Sequence, residues 1–289
     1  MRKAVLMTLG AIVSVQIGSG FAKGAFPVAG ALTMAWLRLT MGTLLLLIIV
    51  RPRLRGHTRQ DWLILLGYAA TLVTMNITFY QAVERIPIGL AVTIEFLGPL
   101  AVAVAKSRGV RDLLWVVLAG AGVSLLGVSP GSLTWAGVGF ALAAAACWAG
   151  YILFSPPVGR RWSGAQPVVL ANMAGSLTLL IPVLTWHAEV LTQPWIWLVG
   201  LGVGLLSSAL PYVLELSALR TLDQRIFSIL MSIEPAMGTL AALIILGERL
   251  TPTDLVAMAC VIAASVGVTW TAGRTRPTSG SGLAGGPPG

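Results

Sequence analysis

Charge is what this chain has least of. Only 10% of its 289 residues are Asp, Glu, Lys or Arg, against about 25% in a soluble domain. That is too little to wet the surface of an ordinary globular core. Histidine is nearly absent too. His57 lies in a basic stretch and His187 stands near Glu189; neither has the ligand company of a metal site, so no metal is assigned. The two cysteines, Cys147 and Cys260, fall inside apolar runs. They offer no disulfide framework and behave as small core residues. No Gly-x-x-x-x-Gly-Lys-Ser/Thr loop is present, so ATP-driven pumping by this chain is not expected. Neither Gly-x-Ser-x-Gly nor His-Glu-x-x-His occurs, so an intramembrane enzyme is a remote alternative. No cofactor is implied.

What the chain has instead is apolar length. Hydrophobic residues make up 56% of it and mean hydropathy is +0.88. Ten apolar segments are long enough to cross a bilayer, which takes roughly 17–25 residues. They run over about 4–22, 29–50, 61–81, 87–105, 112–129, 134–154, 167–186, 195–216, 225–246 and 253–272. The expected class is all-α: a polytopic membrane protein of ten transmembrane helices. An outer-membrane barrel would show alternating segments of about 10 residues, and these runs do not alternate. Arg2-Lys3 before the first run looks like the start of a signal peptide, but removing it would leave nine spans and spoil the repeat described next, so it is read as the first helix.

The net charge of +9 is a matter of topology. With the N-terminus inside, fifteen of the 19 Lys and Arg residues fall in cytoplasmic segments. Lys23, Arg85 and Arg249 fall outside, and Arg38 lies within a span. This asymmetry puts both termini in the cytoplasm, and nucleic acid is not an expected partner. The Gly-, Pro- and Ser-rich stretch 273–289 reads as a disordered cytoplasmic tail.

The chain also repeats itself. Gln81-Ala82-Val83-Glu84-Arg85 through Glu95-Phe96-Leu97-Gly98-Pro99 is echoed by Ser217-Ala218-Leu219-Arg220-Thr221 through Met231-Ser232-Ile233-Glu234-Pro235. Ala82 aligns with Ala218 and Pro99 with Pro235, without a gap. Asp112-Leu113-Leu114 is then echoed by Asp254-Leu255-Val256 at a longer offset. The second copy therefore carries an insertion around Gly247-Glu248-Arg249-Leu250-Thr251-Pro252. The repeats are expected to occupy 1–133 and 134–272. Five spans per repeat is an odd number, so the halves must cross the membrane in opposite senses, as two inverted five-helix repeats with a ligand site near the midplane between them. Small residues recur every fourth position: Gly10, Ser14, Gly18 and Ala22; Gly137, Ala141, Ala145 and Ala149; Gly200, Gly204 and Ser208. Such stripes let helix backbones approach closely, within one chain or in a homodimer.

Several segments resemble the drug/metabolite transporter superfamily, and within it the EamA-domain carriers of the bacterial threonine/homoserine exporter type. The likeness rests on Ala22-Lys23-Gly24-Ala25-Phe26-Pro27, Leu37-Arg38-Leu39 and the run from Pro87 to Ala103. Leu214-Glu215, Met231 to Ala236 and Leu246 to Pro252 add to it. It covers residues 1–272. It implies a secondary carrier of the cell's inner membrane that exports amino acids or related small metabolites by proton coupling and alternating access, with drugs, purines or nucleotide sugars as the alternative cargo. Its partners would be a small-molecule substrate, protons and the lipid bilayer, and it would be a monomer or homodimer.

Four charges fall within the expected spans: Arg38, Glu95, Glu215 and Glu234. Each costs roughly 2.5–3.5 kcal/mol to insert, so they must be paired, protonated or facing water. A carboxylate moved out of water favours its protonated form; an acid alternating between wet and dry surroundings can carry a proton. Arg38 could instead pair with one acid and lock the fold. Pro99 removes the helix hydrogen bond to the carbonyl of Glu95, and Pro235 the one to Met231. Freed carbonyls and carboxylates together make a polar lining at mid-depth. An amino acid would offer its ammonium to these acceptors and its carboxylate to Arg38 or a donor such as Asn76. Gln16, Asn76 and Tyr80 are the other polar candidates, because amides are costly in lipid without partners. Trp148 and Tyr151 could reach the site, but packing is the simpler expectation.

Overall fold

The computed structural model describes residues 2–105, 111–126 and 134–272, and every regular element in them is helical. The helices are α1 (Arg2–Ile49), α2 (Arg59–Arg85), α3 (Ile88–Glu95), α4 (Leu97–Ala105), α5 (Arg111–Leu126), α6 (Trp135–Gly159) and α7 (Gln166–Trp186). They continue as α8 (Pro194–Gly204), α9 (Leu210–Leu219), α10 (Gln224–Met231), α11 (Glu234–Leu246) and α12 (Pro252–Ala272). A π-turn, Leu205–Ala209, joins α8 to α9.

Helix ends follow local chemistry. Thr58 caps α2 in a reciprocal box with Asp61, and Thr251 pairs with Asp254 in the same way before α12; each arrangement satisfies orphan N–H groups at a helix start. Gly247, at φ 70°, closes α11 in the left-handed conformation that glycine takes without strain.

Among the described residues, eight helical stretches are long and apolar enough to cross a membrane. Two of the ten expected spans account for the difference. The segments 4–22 and 29–50 lie in one 48-residue element, α1. At 1.5 Å per residue it is more than twice as long as the roughly 30 Å hydrocarbon core, and it is broken at Gly30, with φ 72° and ψ 155°. The segment 112–129 appears as the 16-residue α5; its last three positions, like residues 273–289, lie outside the described residues. Three expected spans are not continuous helices. The segment 87–105 breaks at Phe96 between α3 and α4, 195–216 passes through the π-turn, and 225–246 breaks at Ser232 and Ile233. The first and third breaks stand just ahead of Pro99 and Pro235, where a missing N–H interrupts the helix ladder.

The N-terminal helices α1–α5 pack against the C-terminal helices α6–α12. α2 lies along α6, α1 lies along α8 and α9, α3 crosses α11, and α5 lies along α12. The small-residue stripes form these contacts. Gly18 faces Ser207, Gly204 faces Met41 and Gly42, and Gly98 lies against the backbone of Ala145. A side chain at any of these positions would push the helices apart. The main core is centred on Ala22, Phe26, Ala82, Val83, Ile86, Ile88, Leu90 and Ala242. It continues through Leu37, Leu39 and Ile94 toward the middle of the bundle. Trp135, at the start of α6, is 86% exposed, as an interfacial anchor is.

Candidate functional site

A cavity of about 240 Å³ lies between the two portions of the chain. α1 contributes Gln16 and Arg38, α2 contributes Asn76, and α3 ends in it with Glu95. From the other side come Asn172 of α7, Ser207 and Ser208 of the π-turn, Glu215 of α9 and Glu234, the first residue of α11. Trp148, Tyr151 and Tyr212 form its aromatic wall.

Broken helices put the acids there. Glu95 closes α3 and Glu234 opens α11, on opposite sides of the two interruptions. Both side chains are 8% exposed. Among the described residues, neither carboxylate has an ion-pair partner within 4.0 Å, and neither accepts a protein hydrogen bond. Their oxygens are offered to the cavity.

Arg38 is held by something other than an acid. Its Nη2 donates to the carbonyl oxygen of Ser207 at 3.0 Å, and its guanidinium carbon lies 5.6 Å from the centre of the Tyr80 ring. The reason lies in the π-turn. Leu210 N–H reaches back five residues to Leu205 O, and Pro211 brings no N–H. The next two carbonyls are taken by side chains of α1: Ser14 Oγ donates to Leu206 O at 2.6 Å and Arg38 to Ser207 O. Arg38 Nε remains buried without a partner. A π-turn of this kind is frequent at functional sites.

The sequence candidates therefore separate. Gln16, Arg38, Asn76, Glu95, Glu215 and Glu234 line the cavity. Asn76 spends one amide hydrogen on Leu72 O at 2.8 Å, and Gln16 Oε1 is buried without a partner. Tyr80 stands behind the wall, 1% exposed, packed edge-on against Phe26 and Phe79 with Arg38 over its face. Pro99 and Pro235 shape the helix breaks without lining the space. From the sequence, Asn172, Ser207, Ser208 and Tyr212 are polar residues within spans that read as interhelical hydrogen-bonding groups, and none of them announces a π-turn; the cavity brings all four to its wall. Pro211, the fourth residue after Ser207, was the available signal. Trp148 and Tyr151 belong to the wall as well as to the packing: Trp148 meets Phe96 edge-on at 5.1 Å and Tyr151 meets Tyr68 at 5.0 Å. Among the described residues, no group of three His, Cys, Asp or Glu side chains could hold a metal.

One fixed cation and three carboxylates around one small space suit a ligand that carries both signs of charge. Guanidinium matches a carboxylate by its planar fork, and the acids match an ammonium or protons.

Comparison with known proteins gives this site its context. Residues 135–270 match the EamA-like transporter family. The threonine/homoserine exporter RhtA of Escherichia coli (strain K12) is 40% identical over 274 residues, covering 92% of this chain and 91% of the exporter. The exporter of the same name from Salmonella typhimurium (strain LT2) is 38% identical over 280 residues, covering 93% and 92% of the two chains. An uncharacterized transporter of Archaeoglobus fulgidus is 26% identical over 237 residues, or 80% of this chain and 84% of that one. One protein of known crystal structure shares the fold with a TM-score of 0.63 at 19% identity, over 95% of this chain and 99% of its own. The chain belongs to the EamA-like transporter family. It is a multi-pass membrane transporter of the bacterial inner membrane.

Proposed function

We propose that this transporter is a proton-coupled secondary exporter of amino acids of the threonine and homoserine kind, working by alternating access. The observation that carries the reading is the cavity between the two portions of the chain. In it Arg38 faces Glu95, Glu215 and Glu234 without forming an ion pair within 4.0 Å. The relatives at 40% and 38% identity, named threonine/homoserine exporters, supply the substrate class. In this reading Arg38 holds the substrate carboxylate, and Glu95 and Glu234 share the ammonium and the transported proton. Glu215, Asn76 and Gln16 complete the polar wall, and Tyr80 supports Arg38 from behind. Proton entry is worth about 2.3 kcal/mol per 100 mV, enough for a gradient of about 50-fold per proton at 1.36 kcal/mol per decade.

The architecture that goes with this function is ten spans in two inverted five-helix repeats, 1–133 and 134–272, with both termini and the tail 273–289 in the cytoplasm. The break at Gly30 supports counting α1 as two spans, and α5 is the tenth. The reciprocal packing supports a pseudo-two-fold relation. α1 meets α8 and α9 as α6 meets α2, the pattern expected when the same surfaces are exchanged across an axis. The family match starting at residue 135 supports the division.

The test is flux of labelled threonine and homoserine in proteoliposomes under an imposed pH gradient, beside a panel of other amino acids, purines and drugs. Flux that follows the gradient and stops in Glu95→Gln or Glu234→Gln is the expected result. Flux indifferent to the gradient would remove the proton, and flux confined to purines or drugs would remove the amino acid.

A further inference from the structure

The insertion that spoils the repeat has a structural role at the closed end of the bundle. Glu248 stands in it, just after the glycine cap of α11. Its Oε1 forms an ion pair with Lys23 Nζ of α1 at 2.5 Å, and its Oε2 accepts the backbone N–H of Ile88 at 3.1 Å. Lys23 Nζ also donates to Ile86 O at 2.8 Å. Two charges thus tie three segments together: α1, the turn from α2 into α3, and the connection from α11 to α12. The polarity of each contact is matched, with the cation on a carbonyl and the anion on an N–H. Pro87, between Ile86 and Ile88, has no N–H to compete. Of the other charges nearby, Arg249 is exposed and Glu84 is turned to a different pair. Glu84 pairs with Arg85 at 2.8 Å and accepts Ala31 N–H at 3.3 Å.

The tie lies on one side of the cavity in every element that reaches it. Lys23 is seven residues beyond Gln16 along α1, and Ile88 is seven residues before Glu95 along α3, about 10 Å in each case at 1.5 Å per residue. Between tie and cavity the packing leaves no room: Ala22, Leu90 and Ala91, the residues next along α1 and α3, are each 0% exposed. Lys23 belongs to the first portion of the chain and Glu248 to the second, so this end cannot open while the pair is intact.

We propose that Lys23 and Glu248 form the outer gate latch of the carrier, closed in this conformation and broken each time the cavity opens outward. The inference rests on the alternating-access reading. The asymmetry of the repeat then has a purpose: the inserted carboxylate belongs to the second copy, and it builds the latch at its own end of the bundle. Removing either charge shifts the population toward the outward-open state, because the latch stabilises only the closed one.

The test uses the full chain in vesicles of known orientation. Met75, half-buried on the cavity wall, becomes the reporter as Met75→Cys, with Cys147 and Cys260 replaced by Ala. The read-out is the rate of reaction with a membrane-impermeant maleimide applied from one face at a time. Glu248→Gln and, separately, Lys23→Met are expected to raise the outer-face rate about tenfold, the change equivalent to ~1.4 kcal/mol. An unchanged outer-face rate in both variants overturns the latch, as does a rise confined to the inner face. If one variant does not reach the membrane, the other decides. A second measurement introduces Lys23→Cys with Glu248→Cys and joins them with a short, reductant-cleavable thiosulfonate linker. Flux should stop on linking and return on cleavage; flux that runs through the closed linker overturns the proposal. Labelling needs no substrate, so absence of amino-acid flux in every variant would sink the substrate assignment and leave the latch measurable.

Discussion

Arg38 donates to the carbonyl oxygen of Ser207 at 3.0 Å, a contact that joins α1 to the π-turn between α8 and α9. The carbonyl is open to a side chain because Pro211, four residues on, lacks an N–H. One consequence is electrostatic. An arginine in a cavity with three carboxylates would ordinarily settle on one of them, and a neutral backbone oxygen keeps its charge available to a ligand instead. Tyr80 adds a ring face from behind at little desolvation cost, since an aromatic face is attractive to a cation.

Arg38→Lys should weaken substrate binding sharply while leaving the protein folded. Lysine keeps the charge but has no planar fork, so it loses the bidentate hold on a carboxylate that guanidinium provides. Loss of a hydrogen bond to a charged group costs about 1.5–3 kcal/mol, or roughly 10- to 150-fold in KM. Concentration dependence of flux in proteoliposomes measures it, and an unchanged KM would remove Arg38 from the substrate site.

Glu95→Gln and Glu234→Gln should separate transport from stability. Both substitutions keep the shape of the side chain and remove a charge whose insertion costs roughly 2.5–3.5 kcal/mol. The variants should melt at or above the native temperature and yet lose pH-driven flux, the exchange of stability for function seen at strained sites. Thermal melting in detergent alongside flux reads both. A lower melting temperature with flux retained would make these acids structural.

Pro211→Ala restores an N–H within reach of Ser207 O. The new donor competes with Arg38 for that oxygen, so the helix gains and the site loses. Flux should fall through KM, and melting should hold or rise, because a missing helix hydrogen bond is regained. Equal KM in Pro211→Ala and native protein would show that the proline does not position Arg38.

Two glycines should prove intolerant for different reasons. A Cβ at Gly98 would overlap the Ala145 carbonyl, with its carbon at 2.9 Å, so Gly98→Ala forces α4 away from α6. Overpacking of this kind costs about 1–3 kcal/mol. Gly30, at φ 72° and ψ 155°, occupies a region essentially reserved for glycine, and Gly30→Ala should cost about 1–3 kcal/mol through backbone strain. Melting temperature measures both. Gly139, where an added Cβ meets nothing within 4 Å, is the control expected to stay neutral.

Much of the site was legible in the chain because charges inside apolar runs are rare enough to stand out. Arg38, Glu95, Glu215 and Glu234 could be singled out without knowing what surrounds them, and all four line one cavity. Gln16 and Asn76 followed from the cost of an unpartnered amide. Tyr80 was harder, because a tyrosine is half apolar. Whether its hydroxyl or its ring does the work depends on which neighbour it meets, and here Arg38 lies over the ring. The π-turn was harder still: Pro211 marks a missing N–H, but one proline does not announce a change of hydrogen-bond register. Trp148 and Tyr151 read as packing because aromatic residues serve both purposes with the same sequence pattern.

The sequence alone determined the membrane class, the helical content and the near-twofold repetition, because each rests on a summed property: hydropathy over some twenty residues, or identity over a matched segment. Tertiary structure decided where α1 breaks, which carbonyls are left for Ser14 and Arg38, and that Lys23 meets Glu248 across 225 positions of chain. Those features depend on single contacts between distant residues, and a contact of one or two kcal/mol leaves no periodic trace in the chain that makes it.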